Sequence, residues 1–138
     1  MLQRDLSVAV EPGALSRLTS FLREALAAAG VDPEAGYAFE LALEEIFVNV
    51  LSHGSVPGGS PRQFEARITA AVGEVNMVLS DDGRPFDPLS QPRPALDVPL
   101  EERPVGGLGI HLVREMMDKV TYWHADGRNH LSLTRRVA

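Results

Sequence analysis

Cysteine is absent from this 138-residue sequence, so the fold depends on neither disulfides nor thiolate metal ligands. No apolar run approaches the ~18 residues that a membrane-spanning helix requires. The first ten residues also lack the apolar stretch of a secretory signal. We therefore expect a cytoplasmic protein without membrane association.

Basic residues are too few for a general nucleic-acid binder. The formal net charge is −6 and no basic face is visible, so we expect no direct nucleic-acid partner. The four histidines lack metal-ligand spacing, and there is no Walker-type GxxxxGK[ST] loop. An acidic protein can still bind a polyanion if it uses a divalent cation, backbone N–H groups and a helix N-terminus.

The residues that are present describe one globular domain, which we expect to span residues 1–138. Periodicity predicts strands at 2–10, 63–72, 74–80, 120–123 and 131–137, with turns at 73 and 126–129. It predicts helices that begin near 14, 33 and 108. The stretch 82–107 holds six prolines and is predicted to be a long loop or lid. This order predicts an α+β fold. It is a two-layer sandwich whose mixed, mostly antiparallel sheet is covered on one face by three helices.

The predicted second helix carries a polar pair among apolar residues. Glu45 and Asn49 are four residues apart, so they share one helix face. An amide oxygen is a hard ligand suited to Mg²⁺, and a carboxylate one turn away can take a proton from an attacking hydroxyl. The alternative is a solvated Glu45 with a structural Asn49. Glu44 stands next to Glu45, but it is five residues from Asn49 and lies off that face.

A short acidic turn follows the predicted strand 74–80. A strand-end carboxylate can accept a hydrogen bond from an exocyclic amine such as adenine N6, and a glycine lets the backbone approach a flat ring. The Asp81-x-Gly83 spacing favours Asp81 over Asp82 as that carboxylate. An ordinary Asp-Gly-Pro turn is the alternative interpretation.

A glycine cluster precedes the third predicted helix, in the segment VGGLGI at residues 105–110. Glycines at a helix N-terminus expose backbone N–H groups and the positive end of the helix dipole, which together suit a phosphate. A flexible loop is the alternative interpretation. In chain order, the three segments offer a metal ligand, a base reader and a phosphate cradle, with a lid between the last two.

This order resembles the GHKL ATPase superfamily, and within it the anti-sigma-factor serine/threonine kinase branch. LEEIFVNVLSHG at 43–54 resembles that branch's N box, DDGRPFDP at 81–88 its first glycine box, and GGLGIHLVREMMD at 106–118 its second. Residues 129–134 resemble its last strand. The resemblance covers nearly the whole chain. It implies a Bergerat-type ATP-binding fold with an ATP lid at about residues 84–106.

The resemblance also implies roles for individual residues. It makes Glu45 the general base and Asn49 the Mg²⁺ ligand, and it assigns the adenine amine to Asp81, with Gly83 allowing close approach. The remaining residues that it implies in ATP binding are Pro85, Phe86, Gly106, Gly107, Leu108 and Gly109.

The implied activity is that of an ATP- and Mg²⁺-dependent protein serine/threonine kinase acting as an anti-sigma factor. Members of this branch phosphorylate an anti-sigma-factor antagonist of the STAS type, sequester a sigma factor and are usually homodimers. The alternative hypothesis is a non-catalytic ATP-binding switch that sequesters a signalling or transcription partner. A histidine-kinase fragment is disfavoured because the sequence shows no phosphoacceptor histidine helix.

Overall fold

The computed structural model describes residues 1–53, 63–90 and 108–137. In chain order they form β1 (Leu2–Ala9), α1 (Ala14–Ala28), α2 (Pro33–His53), β2 (Gln63–Ala71), β3 (Glu74–Asp81), a 3₁₀ turn (Pro88–Ser90), α3 (Leu108–Met116), β4 (Lys119–Ala125) and β5 (Arg128–Arg136). The predicted order of strands and helices is confirmed. Within these ranges, no helix has the length and apolar character needed to cross a bilayer.

The five strands form one sheet in the order β1-β2-β3-β5-β4. All four pairings are antiparallel, so the expected mixed character of the sheet is wrong, whereas the α+β sandwich is confirmed. Two hairpins, β2–β3 and β4–β5, enforce antiparallel pairing. The helices α1 and α2 connect β1 to β2 and return the chain to the end of β1. The start of β2 therefore lies beside that end, where Ala9 pairs with Gln63.

The core lies between one face of the sheet and the helices. Along β2, Phe64, Ala66, Ile68 and Ala70 are buried and alternate with more exposed residues, the period-2 pattern of a sheet covered on one side. Phe47 of α2 meets Phe64 edge to face, with ring centroids 5.1 Å apart. Each large apolar side chain buried here contributes about 1.5–3 kcal/mol. This packing fixes α2 across the sheet.

The start of α2 follows the predicted capping pattern. The Oδ1 of Asp32 accepts a hydrogen bond from the backbone N–H of Glu34 at 3.0 Å, and Pro33 occupies the first helical position. The apolar stripe of α2, including Phe39, Leu43 and Phe47, is fully buried. That stripe faces the sheet. The helix face that bears Asn49 therefore lies near the ends of the central strands.

The β4–β5 turn is shorter than the sequence pattern suggested. Asp126 and Gly127 have φ angles of 55° and 73°, which are typical of a two-residue hairpin turn with an Asp-Gly sequence. The expected turn at 126–129 is therefore wrong for Arg128 and Asn129, which already belong to β5. The separate pairing of β5 with β3 places Asn129 directly opposite Asp81.

Candidate nucleotide site

A cleft that is partly open to solvent, and that measures about 480 Å³ when the solvent at its mouth is counted, lies between the last turns of α2 and the adjoining ends of β3 and β5. We call it the strand-end cleft. Its α2 wall is formed by Ile46, Asn49 and Val50, and its opposite wall includes Asp81, Gly83 and Phe86. Apolar walls with a few converging polar groups are typical of small-molecule sites.

Asp81 is the buried carboxylate of this cleft, with only 9% of its surface exposed. Its Oδ1 accepts hydrogen bonds from the backbone N–H of Gly83 at 2.9 Å and from Nδ2 of Asn129 at 3.1 Å. Burial raises the pKa of Asp81 above its ordinary value, and these two hydrogen bonds oppose the shift because they favour the charged form. The result is an oriented acceptor at the end of a rigid strand.

The neighbouring Asp82 has a different position. It is exposed, and its Oδ1 accepts a hydrogen bond from the backbone N–H of Gln63 at 3.0 Å, at the start of β2. The geometry thus separates the two carboxylates that the sequence left adjacent: Asp81 lines the cleft, and Asp82 is bonded to the edge of the neighbouring strand.

Asn49 and Glu45 lie on the α2 side but not in equivalent positions. Asn49 is half-buried and lines the strand-end cleft, whereas Glu45 is not among the lining residues. Glu45 instead packs against the start of α3. A Cβ added to Gly109 would overlap Cδ and Oε1 of Glu45 and lie 2.5 Å from its Cγ. The Glu45 side chain thus occupies the space that a Cβ at position 109 would need, so a larger residue there would displace this carboxylate.

The electrostatic setting of Glu45 suits proton transfer. Partial burial, and secondarily the negative charge of Glu44, raises the pKa of the Glu45 carboxyl. A carboxylate with a raised pKa is a stronger base than a solvated one. Glu44 itself is exposed, as expected for a residue off the Asn49 face.

The remaining predicted ATP contacts divide into three groups. Phe86 lines the cleft, while Pro85 is exposed and is not among its lining residues. Leu108 is the first residue of α3. Gly106 and Gly107 lie outside the described residues, as does the part of the expected lid beyond Ser90. The roles that the resemblance implies for these residues stay predictions.

Two residues of the site were not predicted from the sequence. Asn129 is 6% exposed and bonds to the turn after β3, and the hydroxyl of Tyr122 on β4 donates to Asn129 Oδ1. Both line the strand-end cleft. The signal available beforehand was the Asp-Gly turn at 126–127, since a two-residue turn starts β5 early enough to include Asn129, although its position opposite Asp81 depends on the separate pairing of β5 with β3.

Fold and cleft together define a nucleotide-binding class, and the chain belongs to the histidine kinase-like ATPase domain family, whose sequence model matches residues 8–135. The predicted GHKL resemblance is confirmed. The chain is 31% identical over 102 residues to the serine/threonine-protein kinase BtrW of Bordetella bronchiseptica, a stretch that covers 74% of this chain and 71% of that kinase.

Among solved structures, the fold is similar to a crystal structure of the RsbU and RsbW domains of Rv1364c from Mycobacterium tuberculosis. The TM-score is 0.69 at 18% sequence identity, and the match covers 99% of this chain. This chain spans 33% of the length of that larger chain. At this identity the similarity concerns the fold.

Proposed function

We propose that this protein is an ATP- and Mg²⁺-dependent protein serine/threonine kinase that acts as an anti-sigma regulatory factor. It phosphorylates a STAS-type antagonist and sequesters a sigma factor when the antagonist does not compete. The main support is the strand-end cleft, where Asn49 and Asp81 share one lining in a histidine kinase-like ATPase. Similarity to a protein named as a serine/threonine kinase supports phosphoryl transfer.

The base end of the proposed site is the Asp81 side of the cleft. Asp81 accepts the exocyclic amine of adenine, and Gly83 lets the ring approach the backbone. Ile46, Val50 and Leu79 supply apolar surface for the purine. Binding there displaces water from apolar walls while a single carboxylate fixes the orientation of the base.

The phosphate end lies toward Asn49. Phosphoryl transfer requires mostly positioning and charge neutralisation, and a bound Mg²⁺ supplies part of the latter. The Asn49 amide oxygen is a suitable ligand, because Mg²⁺ usually keeps several waters and is bound by few protein groups together with substrate phosphates. Over residues 1–53, 63–90 and 108–137, no three acidic or histidine side chains cluster as a metal site. Asn49 would hold the ion together with oxygens of the bound nucleotide and water.

Glu45 acts as the general base in this proposal. It removes the proton of the substrate serine hydroxyl as that oxygen attacks the γ-phosphorus of ATP, and ADP leaves. Its contact with Gly109 holds the carboxylate beside the first turn of α3. We also propose that residues 1–138 form one cytoplasmic domain and that the protein acts as a homodimer.

Calorimetry of ATP binding with Mg²⁺ and with EDTA tests the nucleotide assignment. We expect Mg²⁺ to tighten ATP binding to the wild type by about tenfold, and Asn49→Ala to lose that increment while binding in EDTA is unchanged. Val48→Ala is the matched control, since Val48 is exposed on the same helix. Equal effects of Mg²⁺ on wild type and Asn49→Ala would contradict the role of Asn49.

Transfer of label from γ-labelled ATP to purified STAS-type antagonist proteins tests the kinase assignment. The expected product is a phosphoserine or phosphothreonine on the antagonist. Intact ATP binding without transfer to any antagonist would support the non-catalytic switch instead. Phosphohistidine as the product would indicate a histidine-kinase activity.

A further inference from the structure

Asn129 joins the end of β5 to the turn that follows β3. Its Nδ2 donates to Oδ1 of Asp81 at 3.1 Å and to the backbone oxygen of Arg84 at 2.8 Å. Its Oδ1 accepts the backbone N–H of Phe86 at 3.0 Å and the hydroxyl of Tyr122. One buried amide thus contacts both the carboxylate and the backbone of the proposed adenine site.

These contacts allow only one orientation of the amide. The backbone N–H of Phe86 can only donate, so the oxygen of Asn129 must face it. The backbone oxygen of Arg84 can only accept, so the NH₂ group must face that side. Consequently Asn129 always presents a donor, never an acceptor, to Asp81.

These hydrogen bonds occupy one oxygen of Asp81 and leave the other for a ligand. Oδ1 already receives two donors, from Gly83 and Asn129. Both of these bonds go to Oδ1, so Oδ2 is the oxygen that Asp81 can offer to a ligand in the cleft that it lines. A carboxylate bonded in this way is an acceptor at Oδ2.

We propose that Asn129 is a positioning residue that makes Asp81 select a 6-amino purine over a 6-oxo purine. The inference rests on the proposed function, since it requires that the strand-end cleft binds the nucleotide base. Adenine presents an NH₂ donor at C6, whereas hypoxanthine presents an oxygen there. An ionised Asp81 accepts from the first and repels the second, but a protonated Asp81 can donate to the second.

Asn129 matters because burial alone opposes the ionised form. Burial raises the pKa of Asp81, and the hydrogen bond from the Asn129 amide is the largest of the effects that oppose the rise. Replacing that amide with a carboxylate would place two acids within hydrogen-bond distance, and such pairs share one proton. The carboxyl of Asp81 could then donate a hydrogen bond to the base as well as accept one.

The test is the ratio of dissociation constants for ADP and inosine diphosphate, which differ only in the base. We expect the wild type to prefer ADP by on the order of 100-fold, because a site built for a donor leaves its acceptor unpaired with the 6-oxo base. Asn129→Asp should reduce this preference at least tenfold, and Asn129→Ser by less. If Asn129 served folding alone, its substitution would weaken the binding of both nucleotides equally.

Asn76→Asp is the matched control. Asn76 is a half-buried amide of β3 that donates to Ser132 Oγ and Thr134 Oγ1, each at 2.9 Å, and it is not among the residues that line the cleft. The substitution introduces the same charge into the same sheet, so any general effect appears there too. We expect its nucleotide preference to equal that of the wild type.

The outcomes separate this inference from the proposed function. A wild type that binds neither nucleotide, or both equally, contradicts adenine recognition by the cleft. A wild type that discriminates, with a folded Asn129→Asp that discriminates equally, overturns the role of Asn129. If neither Asn129 variant folds, Asn129→Thr decides the matter, since a β-branched residue suits a strand and its hydroxyl can donate or accept, so it no longer enforces a donor toward Asp81. An undiminished preference in that variant overturns the inference.

Discussion

The two ends of the strand-end cleft are built differently. At the Asp81 end, Asn129, Gly83 and Phe86 are tied together by hydrogen bonds, and Tyr122 closes the network. On the α2 side, Asn49 is half-buried in the cleft wall, and Glu45, which does not line the cleft, lies against Gly109 at the start of α3. One end is a hydrogen-bonded strand terminus, and the other is a contact between two helices.

This difference teaches where preorganisation is found in the molecule. A base-binding end whose groups are already oriented loses little conformational freedom on binding, so it supports affinity. A reacting end that depends on helix packing is more sensitive to small displacements, so it controls rate. We therefore expect changes at Asp81 to alter nucleotide affinity and changes at Glu45 to alter transfer.

The largest expected effect is that of Glu45→Gln on phosphoryl transfer. The amide keeps the shape of the side chain but cannot accept the hydroxyl proton, so the transfer rate should fall by about 10²–10⁴-fold. ADP affinity should be unchanged, because Glu45 does not line the cleft. Single-turnover transfer from labelled ATP and calorimetry with ADP measure the two quantities.

Glu44→Gln is the control for that substitution, because Glu44 is the exposed neighbour with the same charge. Its removal lowers the raised pKa of Glu45 slightly and should leave most of the transfer rate. If Glu44→Gln abolished transfer while Glu45→Gln did not, the assignment of the base would be reversed. If both variants lost ADP binding, the two ends of the cleft would not be separable.

The next effect in size is that of Asp81→Asn on affinity. A hydrogen bond to a charged group contributes about 1.5–3 kcal/mol, so ADP should bind roughly 10- to 100-fold more weakly. Asp82→Asn should bind ADP as the wild type does, since its amide oxygen can still accept the N–H of Gln63. Titration calorimetry of both variants shows which carboxylate accepts the hydrogen bond from the adenine amine.

Asp81→Asn should also change how the folding stability depends on pH, and the sign of this change follows from the raised pKa of Asp81. A carboxyl whose pKa is raised on folding stabilises the protein fully only below its unfolded pKa, near 3.8. That contribution is lost as the pH rises through the folded pKa. Asp81→Asn has no such proton, so its stability relative to the wild type should increase from acid to neutral pH. Urea unfolding across that range measures the difference; a decrease would contradict the burial argument.

Much of the fold was accessible from the sequence because its signals are local. The Asp32 cap, the apolar stripe of α2 and the hairpin at Gly73 each arise within a few neighbouring residues. The Asp81-x-Gly83 spacing also indicated the carboxylate that lines the cleft, since the hydrogen bond between these two residues is local, and the role of Asp81 toward adenine stays a prediction. The antiparallel direction of every pairing was less accessible, because it depends on how the elements connect in space.

The contribution of Asn129 could not be predicted, because it depends on cross-strand register. The four-residue turn predicted at 126–129 excludes Asn129 from β5, whereas in the structure Asn129 belongs to β5 and pairs with Asp81 of β3. The contact between Glu45 and Gly109 is likewise tertiary, as these residues are far apart in the chain. Sequence spacing suggested a phosphate role for Gly109 but gave no reason to place it against the proposed base.

The smallest expected effect is that of Gly109→Ala, which tests whether this helix contact positions the base. The new methyl group forces the flexible end of Glu45 to move, while alanine favours the helix over glycine by up to about 1 kcal/mol. Stability should therefore change little, and transfer should fall by about tenfold because a displaced base is a poor proton acceptor. Gly36→Ala is the control, since a Cβ there meets only Leu26 at an ordinary 3.4 Å, so transfer should persist. In a Glu45→Gln background, Gly109→Ala should cost no further transfer rate, because both changes act on one group. An additive loss in the double variant would show that Gly109 acts independently of Glu45, and the packing of α3 on α2 would then have no part in positioning the base.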